Sequence, residues 1–407
     1  MTPLSFTLSV GCCILVLGDL DMRCRFSFVL IYVSLLLLVG CGKNFSISHK
    51  TTPTFLTPHT EQTPYTLAPY TEFALPQLSE KDCASGPQGI TIGPDGALWF
   101  TDSADKIGHI TTQGQITEFA LSTWAHPTGI TTGPDGALWF TESNLDKIGR
   151  ITTQGRITEF ALPTFVSYPE KFPAQIIAGP DGALWFTESN LDKIGRITLQ
   201  GKVTEFALSS PQAGYEMGIT VGSDGALWFT EPELNKIGRI TTQGQVSEFA
   251  LPIARMGPAE ITAGPDGALW FTQPGPNQIG RITTQGQITE FALPSSPDSP
   301  SNGGGITTGP DGALWFTQGW GPLGRITTQG HITLFSPHYT GGPGRIVAGP
   351  DGALWMTEVD PHAGLISRFS PSSVRVPESR KVSAATFPCP VVTPIPTAPS
   401  TPSPSGS

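Results

Sequence analysis

Short apolar bursts recur along this chain, each preceded by a turn signal and followed by polar residues. In Ala137-Leu138-Trp139-Phe140-Thr141 successive side chains point to opposite sides of a strand, so Leu138 and Phe140 face one neighbour and Trp139 the other. Pro134-Asp135-Gly136 stands just before it. There Pro presets φ, Asp bonds nearby backbone N–H and Gly accepts positive φ. A Gly129-Ile130-Thr131-Thr132 strand precedes the turn, and Lys147-Ile148-Gly149-Arg150-Ile151-Thr152 supplies a third strand. Gln154-Gly155 then turns the chain into a fourth, Ile157 to Leu162. The pattern predicts four antiparallel strands in about 40 residues.

The unit recurs seven times. Its Gly-Pro-Asp-Gly turn begins at Gly93, Gly133, Gly179, Gly222 (with Ser223 for Pro), Gly264, Gly309 and Gly349, spacings of 40 to 46 residues. Four strands per repeat at a period near forty predict an all-β, seven-bladed β-propeller with four-stranded blades. Thr71-Glu72-Phe73-Ala74-Leu75-Pro76 matches the outer strand but precedes the first inner strand, while the last repeat stops after three. The N-terminal strand is therefore expected to pair into the last blade, closing the ring and hiding its edges. The tryptophans at 99, 139, 185, 228, 270, 315 and 355 read as blade-to-blade packing.

The ends differ in character. Residues 22–41 run from Met-Arg-Cys-Arg through an apolar stretch, Phe26 to Leu38, to Val39-Gly40-Cys41. This describes an export signal, and Leu38-Val39-Gly40-Cys41 resembles a bacterial lipobox with Cys41 as the lipidated residue. An uncleaved apolar anchor is the alternative. Residues 1–21 sit awkwardly before such a signal, which makes Met22 a candidate start. The Thr/Pro-rich stretch 42–69 reads as a tether, 70–370 as the propeller and 371–407 as a disordered Pro/Ser/Thr-rich tail. Cys83 and Cys389 would be the free cysteines left after lipidation. They are expected either to pair, as an exported compartment permits, or to remain two thiols.

Composition narrows the partners. The 47 glycines and 39 prolines among 407 residues suit a turn-rich all-β chain. A net charge of −10 argues against nucleic acid or an anionic membrane surface, leaving the N-terminal anchor as the membrane contact. A monomer binding a peptide, glycan or small molecule is the expected state.

Candidate chemistry gathers on one face. The Pro-Asp-Gly and Gln-Gly turns are nearly identical in every copy, whereas the loops entering the inner strands and those following the Trp-Phe-Thr strands vary. Trp124, Tyr168, Tyr215, Trp320, His338 and Tyr339 fall on that varied face as candidate ligand-binding residues, or as caps over the core. Asp102, Glu142, Glu188, Glu231 and Glu358 end the second strands, with Gln273 and Gln318 in the remaining two. Facing one mouth, these carboxylates could hold a hard cation. Alternatively they are solvated ends, or partners of Lys106, Lys147, Lys193 and Lys236. Glu358, Asp360 and His362 form the candidate catalytic group, with Glu358 and Asp360 as candidate metal ligands. No Gly-Lys-Ser/Thr phosphate loop, Gly-x-Ser-x-Gly elbow or His-Glu-x-x-His helix appears.

The run Asp-Gly-Ala-Leu-Trp-Phe-Thr-Glu, Lys-Ile-Gly-Arg-Ile-Thr and Gly-Gln-Ile-Thr-Glu-Phe resembles the virginiamycin B lyases (streptogramin B lyases) over about residues 70–370. The resemblance implies a Mg²⁺-dependent carbon–oxygen lyase that linearises cyclic depsipeptides by elimination at the ester. Such chemistry needs a base beside the carbon next to a carbonyl, and a cation for the developing enolate. It further implies a histidine in the loop entering the sixth inner strand and a Glu-Pro-His in the loop entering the seventh. Here those loops read Asn302-Gly303-Gly304-Gly305 and Gly341-Gly342-Pro343-Gly344-Arg345. Pro is kept, and glycines stand at the glutamate and histidine positions. The expectation is therefore an exported ligand-binding or scaffold propeller. The alternative is an active lyase using a displaced site around Glu358, Asp360 and His362.

Overall fold

The computed structural model describes residues 70–76, 86–163, 173–188, 192–208, 218–252, 257–294, 304–319, 321–335, 341–359 and 364–373. These form seven four-stranded antiparallel sheets arranged as the blades of a propeller. Blade 2 shows the pattern: Pro127–Thr132 innermost, then Leu138–Glu142, Lys147–Ile151 and Ile157–Ala161. Blade 1 spans 87–120, blade 3 173–207, blade 4 219–250, blade 5 261–292 and blade 6 306–335. Blade 7 takes Gly342–Ala348, Leu354–Val359 and Gly364–Phe369 from the C-terminal end, and its outer strand, Tyr70–Ala74, from the N-terminal end. Tyr70 lies opposite Phe369 and Ala74 opposite Leu365, the predicted ring closure.

The repeated motif is explained residue by residue. Trp99 of blade 1 packs on Leu138, Phe140 and Ile151 of blade 2, and Trp139 packs in turn on Leu184, Phe186 and Ile197 of blade 3. All seven motif tryptophans are fully buried. Each buries on the order of 200 Å², roughly 5 kcal/mol of transfer free energy before the entropy of ordering it. Trp139 also stacks on Phe160 of its own outer strand at 5.4 Å, and the Arg150 guanidinium lies 6.0 Å from its centroid. The turn aspartate fixes the ring's rotation: Asp135 Oδ1 accepts from Trp139 Nε1 at 3.0 Å, and Oδ2 from Arg150 Nε at 2.6 Å.

Thr141 joins blades. Its Oγ1 accepts from Gly129 N at 2.8 Å within blade 2 and donates to Ala174 O at 2.8 Å in blade 3. Thr357 does the same across the closure, donating to Gln88 O in blade 1 at 3.2 Å. Gly149 is required because Phe140 lies over it: a Cβ there would stand 2.1 Å from the ring and 2.8 Å from Glu142 Oε1. These contacts leave every second strand buried on both sides and rigid beneath the variable loops.

Candidate functional site

Trp124 is the exposed large hydrophobic residue among the described residues, at 75% exposure. It is held rather than loose. Asp105 reaches across from the preceding blade, and its two carboxylate oxygens accept from Trp124 N and His126 N, both at 2.8 Å. Trp124 and His126 both carry positive φ, 69° and 46°, so the carboxylate fixes a backbone that L-residues seldom adopt. The other aromatic and histidine candidates, Tyr168, Tyr215, Trp320, His338 and Tyr339, lie outside the described residues. So do Asp360, His362, Cys41, Cys83 and Cys389.

The second-strand carboxylates do not line the mouth as solvated ends. Glu142, Glu188 and Glu231 are fully buried and Asp102 nearly so. The reason is parity. Glu142 follows Phe140 by two positions, so it shares the face that packs between blades and lies over Gly149. The expected lysine partnership also differs. Lys147 donates to Glu159 of the fourth strand at 2.5 Å, and Lys106, Lys193 and Lys236 donate to Glu118, Glu205 and Glu248 in the same way. The Glu142 and Glu231 carboxylates accept no hydrogen bond. Burial, with the nearby charge of Glu159 or Glu248 added and that of Lys147 or Lys236 opposing, pushes both up to about 7. Burial likewise raises Asp102.

Blade 7 handles its carboxylate differently. Ser367 replaces the third-strand glycine, and Met356 replaces the phenylalanine above it. Ser367 Oγ donates to Glu358, Gly341 N donates to Glu358 Oε2 at 3.3 Å, and Tyr70 OH donates to Ser367 Oγ at 2.7 Å. Glu358 is therefore a buried, hydrogen-bonded carboxylate below the loop entering blade 7. Among the described residues no three His, Cys, Asp or Glu side chains converge to hold a metal ion.

In the loop entering blade 6 the glycines are tightly fitted. A Cβ on Gly304 would lie 2.2 Å from Thr317 O, and one on Gly305 2.8 Å from Ile346 N. Arg345 of blade 7 forms an ion pair with Glu260 of blade 5, skipping blade 6. Sequence reasoning placed neither this pair nor the Asp105 clamp. The signal for the first was two charged residues, Glu260 and Arg345, each directly before the inner-strand isoleucine, where blades 1, 2, 4 and 6 carry glycine.

The profile of the virginiamycin B lyase family matches residues 56–300 and 215–379. A streptogramin B lyase structure is similar at 37% identity over 74% of this chain and 97% of its own, with a TM-score of 0.65. Virginiamycin B lyase from Staphylococcus aureus is similar at 40% identity, over 74% of this chain and 99% of its own, with a TM-score of 0.65. A catalytically inactive histidine-to-alanine variant of the Staphylococcus aureus enzyme, solved with quinupristin, is similar at 39% identity. It covers 74% of this chain and 100% of its own, with a TM-score of 0.64. Seven interlocked blades and these matches together make this chain a member of the virginiamycin B lyase family.

Proposed function

We propose that this protein is a ligand-binding or scaffold propeller that lacks its family's lyase activity, exported and tethered to a bacterial surface through a lipidated Cys41. One observation carries the reading. The loops entering blades 6 and 7 present Gly304, Gly305 and Gly344, with the Glu260–Arg345 pair across them, where the family resemblance calls for histidines and a glutamate. Glycine can neither accept a proton nor bind Mg²⁺ through a side chain. A relative at 39% identity is catalytically inactive after a single histidine becomes alanine. The lipobox-like Leu38-Val39-Gly40-Cys41 and the Thr/Pro-rich stretch after it support the surface tether.

Binding is supported by Trp124, whose exposed indole stands on a backbone fixed by Asp105. An aromatic face already ordered loses little entropy on contact with a peptide or sugar ring. The second reading is a Mg²⁺-dependent lyase with a moved site, and Glu358 favours it as a buried carboxylate beside the blade 7 loop, two residues before Asp360 and four before His362. Among the described residues no three His, Cys, Asp or Glu side chains gather there to hold Mg²⁺.

The binding reading is tested by native mass spectrometry against panels of cyclic depsipeptides, short peptides and oligosaccharides. Retention of at least one class is expected, with Trp124→Ala lowering it roughly tenfold. Equal retention by the variant, or none by either protein, contradicts it.

A further inference from the structure

Blades 5 and 6 break the charge pattern of the ring at one place. In blades 1–4 the second strand ends in a carboxylate, the third opens with lysine, and that lysine joins a fourth-strand glutamate. Blade 5 has Gln273 for the carboxylate and Gln278 for the lysine. Blade 6 has Gln318, Pro322 and Leu334 at the three positions. The result is a small uncharged cleft between the two blades, partly open to solvent.

Three buried amide atoms in its wall have no hydrogen-bond partner: Gln273 Oε1, Gln278 Oε1 and Gln318 Nε2. Gln273 and Gln318 are 1% and 8% exposed, so neither can turn to bulk water. The orientation of Gln273 is set from behind. Its Nε2 donates to Glu290 Oε1 at 3.2 Å, which leaves the carbonyl oxygen facing the cleft. Burial raises Glu290, with the Gln273 hydrogen bond opposing. Buried polar groups are ordinarily hydrogen-bonded, so three without a partner in one wall point to an occupant.

We propose that this cleft is a binding pocket for the uncharged primary carboxamide of a small ligand. Two acceptors and one donor in the wall complement the two N–H donors and one C=O acceptor of such a group. An ordered water could satisfy the same atoms, and failure of every amide probe to bind is the outcome that assigns the cleft to water. Ile279, Leu293 and Phe316 form the apolar part of the wall, beside the polar Thr272, Asn277 and Thr317, and suit a short apolar substituent on the amide. A carboxylate is disfavoured because it lacks the two donors and meets Glu290 behind Gln273. An ammonium is disfavoured because it cannot accept from Gln318. Trp124 does not line this cleft.

The test is a ligand-observed NMR titration of the purified protein with isobutyramide, isobutyrate and N,N-dimethylisobutyramide. Isobutyramide should bind saturably with a Kd on the order of millimolar. The acid and the dimethylated amide should bind roughly tenfold more weakly or worse. Gln278→Lys, which restores the residue of blades 1–4 and fills the cleft, should abolish binding. Gln318→Glu, the residue of blades 2, 3, 4 and 7, should lower it roughly tenfold by removing the donor. Both variants use residues that the ring already carries at these positions, so a native circular dichroism spectrum is expected of each. Trp124→Ala should leave isobutyramide binding unchanged, which separates this pocket from the loop-face reading. Equal binding of the three probes, no binding of any of them (water alone in the cleft), or full binding by Gln278→Lys overturns the proposal.

Discussion

Ser367 donates its hydroxyl to the buried carboxylate of Glu358. Elsewhere in the ring the third-strand position is glycine, crushed beneath a phenylalanine; a Cβ on Gly149, for example, would come within 2.1 Å of the Phe140 ring. Blade 7 could acquire the serine because Met356 stands opposite it in place of phenylalanine. The two departures are one event: the thinner, flexible methionine makes room for the hydroxyl that the carboxylate uses.

That coupling is measurable. Ser367→Gly alone removes a donor from a buried carboxylate and should cost about 1–3 kcal/mol. Met356→Phe alone drives a ring into Ser367 and should cost about as much through overpacking. The double variant restores the pair used by the other blades, so its loss should be smaller than the sum of the two single losses. Additive losses in a denaturant-based double-mutant cycle would refute the coupling.

Stability should fall as pH rises from about 4.5 to about 7. Glu142 and Glu231 are raised from 4.5 to about 7 by burial first, with neighbouring glutamates adding. A carboxyl with a raised folded pKa contributes most below its unfolded value and loses that contribution as it ionises. The loss is up to about 3 kcal/mol for each group, and less to the extent that solvent screens the carboxylates. Glu142→Gln and Glu231→Gln should flatten this limb and raise Tm at pH 8. A wild-type Tm rising between pH 5 and 8 would contradict the assignment.

The acid limb has the opposite sign. Asp135, Asp181, Asp224, Asp266, Asp311 and Asp351 feel a burial penalty, yet hydrogen bonds from tryptophan and arginine hold them below 3.8. Their contribution is present above 3.8 and disappears as pH falls through the depressed folded values. Asp135→Asn should therefore lower Tm by several °C at pH 6 and by much less at pH 2. An equal loss at both pH values would show that the Trp139 hydrogen bond alone carries the effect.

Much of the ring is legible in the sequence. The repeat gave the strands, the turn residues and the number of blades, and the orphaned Thr71–Pro76 segment revealed the closure. The alternation that put Leu138 and Phe140 on one face also put Glu142 there. The packing between blades therefore extends to the last residue of the strand, one position further than a solvated strand end would allow. The cleft of Gln273, Gln278 and Gln318 was visible only as three departures from the repeat. Their meaning depended on blades 5 and 6 being neighbours and on Glu290 orienting one amide. The Glu260–Arg345 pair joins residues 85 positions apart across an intervening blade, a relation no local pattern encodes.

That ion pair makes its own prediction. Both side chains remain partly exposed, so their coupling should be modest, about 0.5–1 kcal/mol, and should shrink in high salt. A cycle of Glu260→Gln and Arg345→Gln at low and high ionic strength checks it. A coupling unchanged by salt would mean the pair is held by packing.

This family member has the propeller, and the proposed loss of elimination chemistry is open to direct test. The direct measurement is a mass-spectrometric time course of virginiamycin B incubated with the purified protein and Mg²⁺, beside the Staphylococcus aureus lyase as a positive control. The antibiotic should remain cyclic in the presence of this protein for as long as the control needs to consume it many times over. Catalytic linearisation by this protein, abolished by Glu358→Gln, would contradict the claim and place an active centre in blade 7.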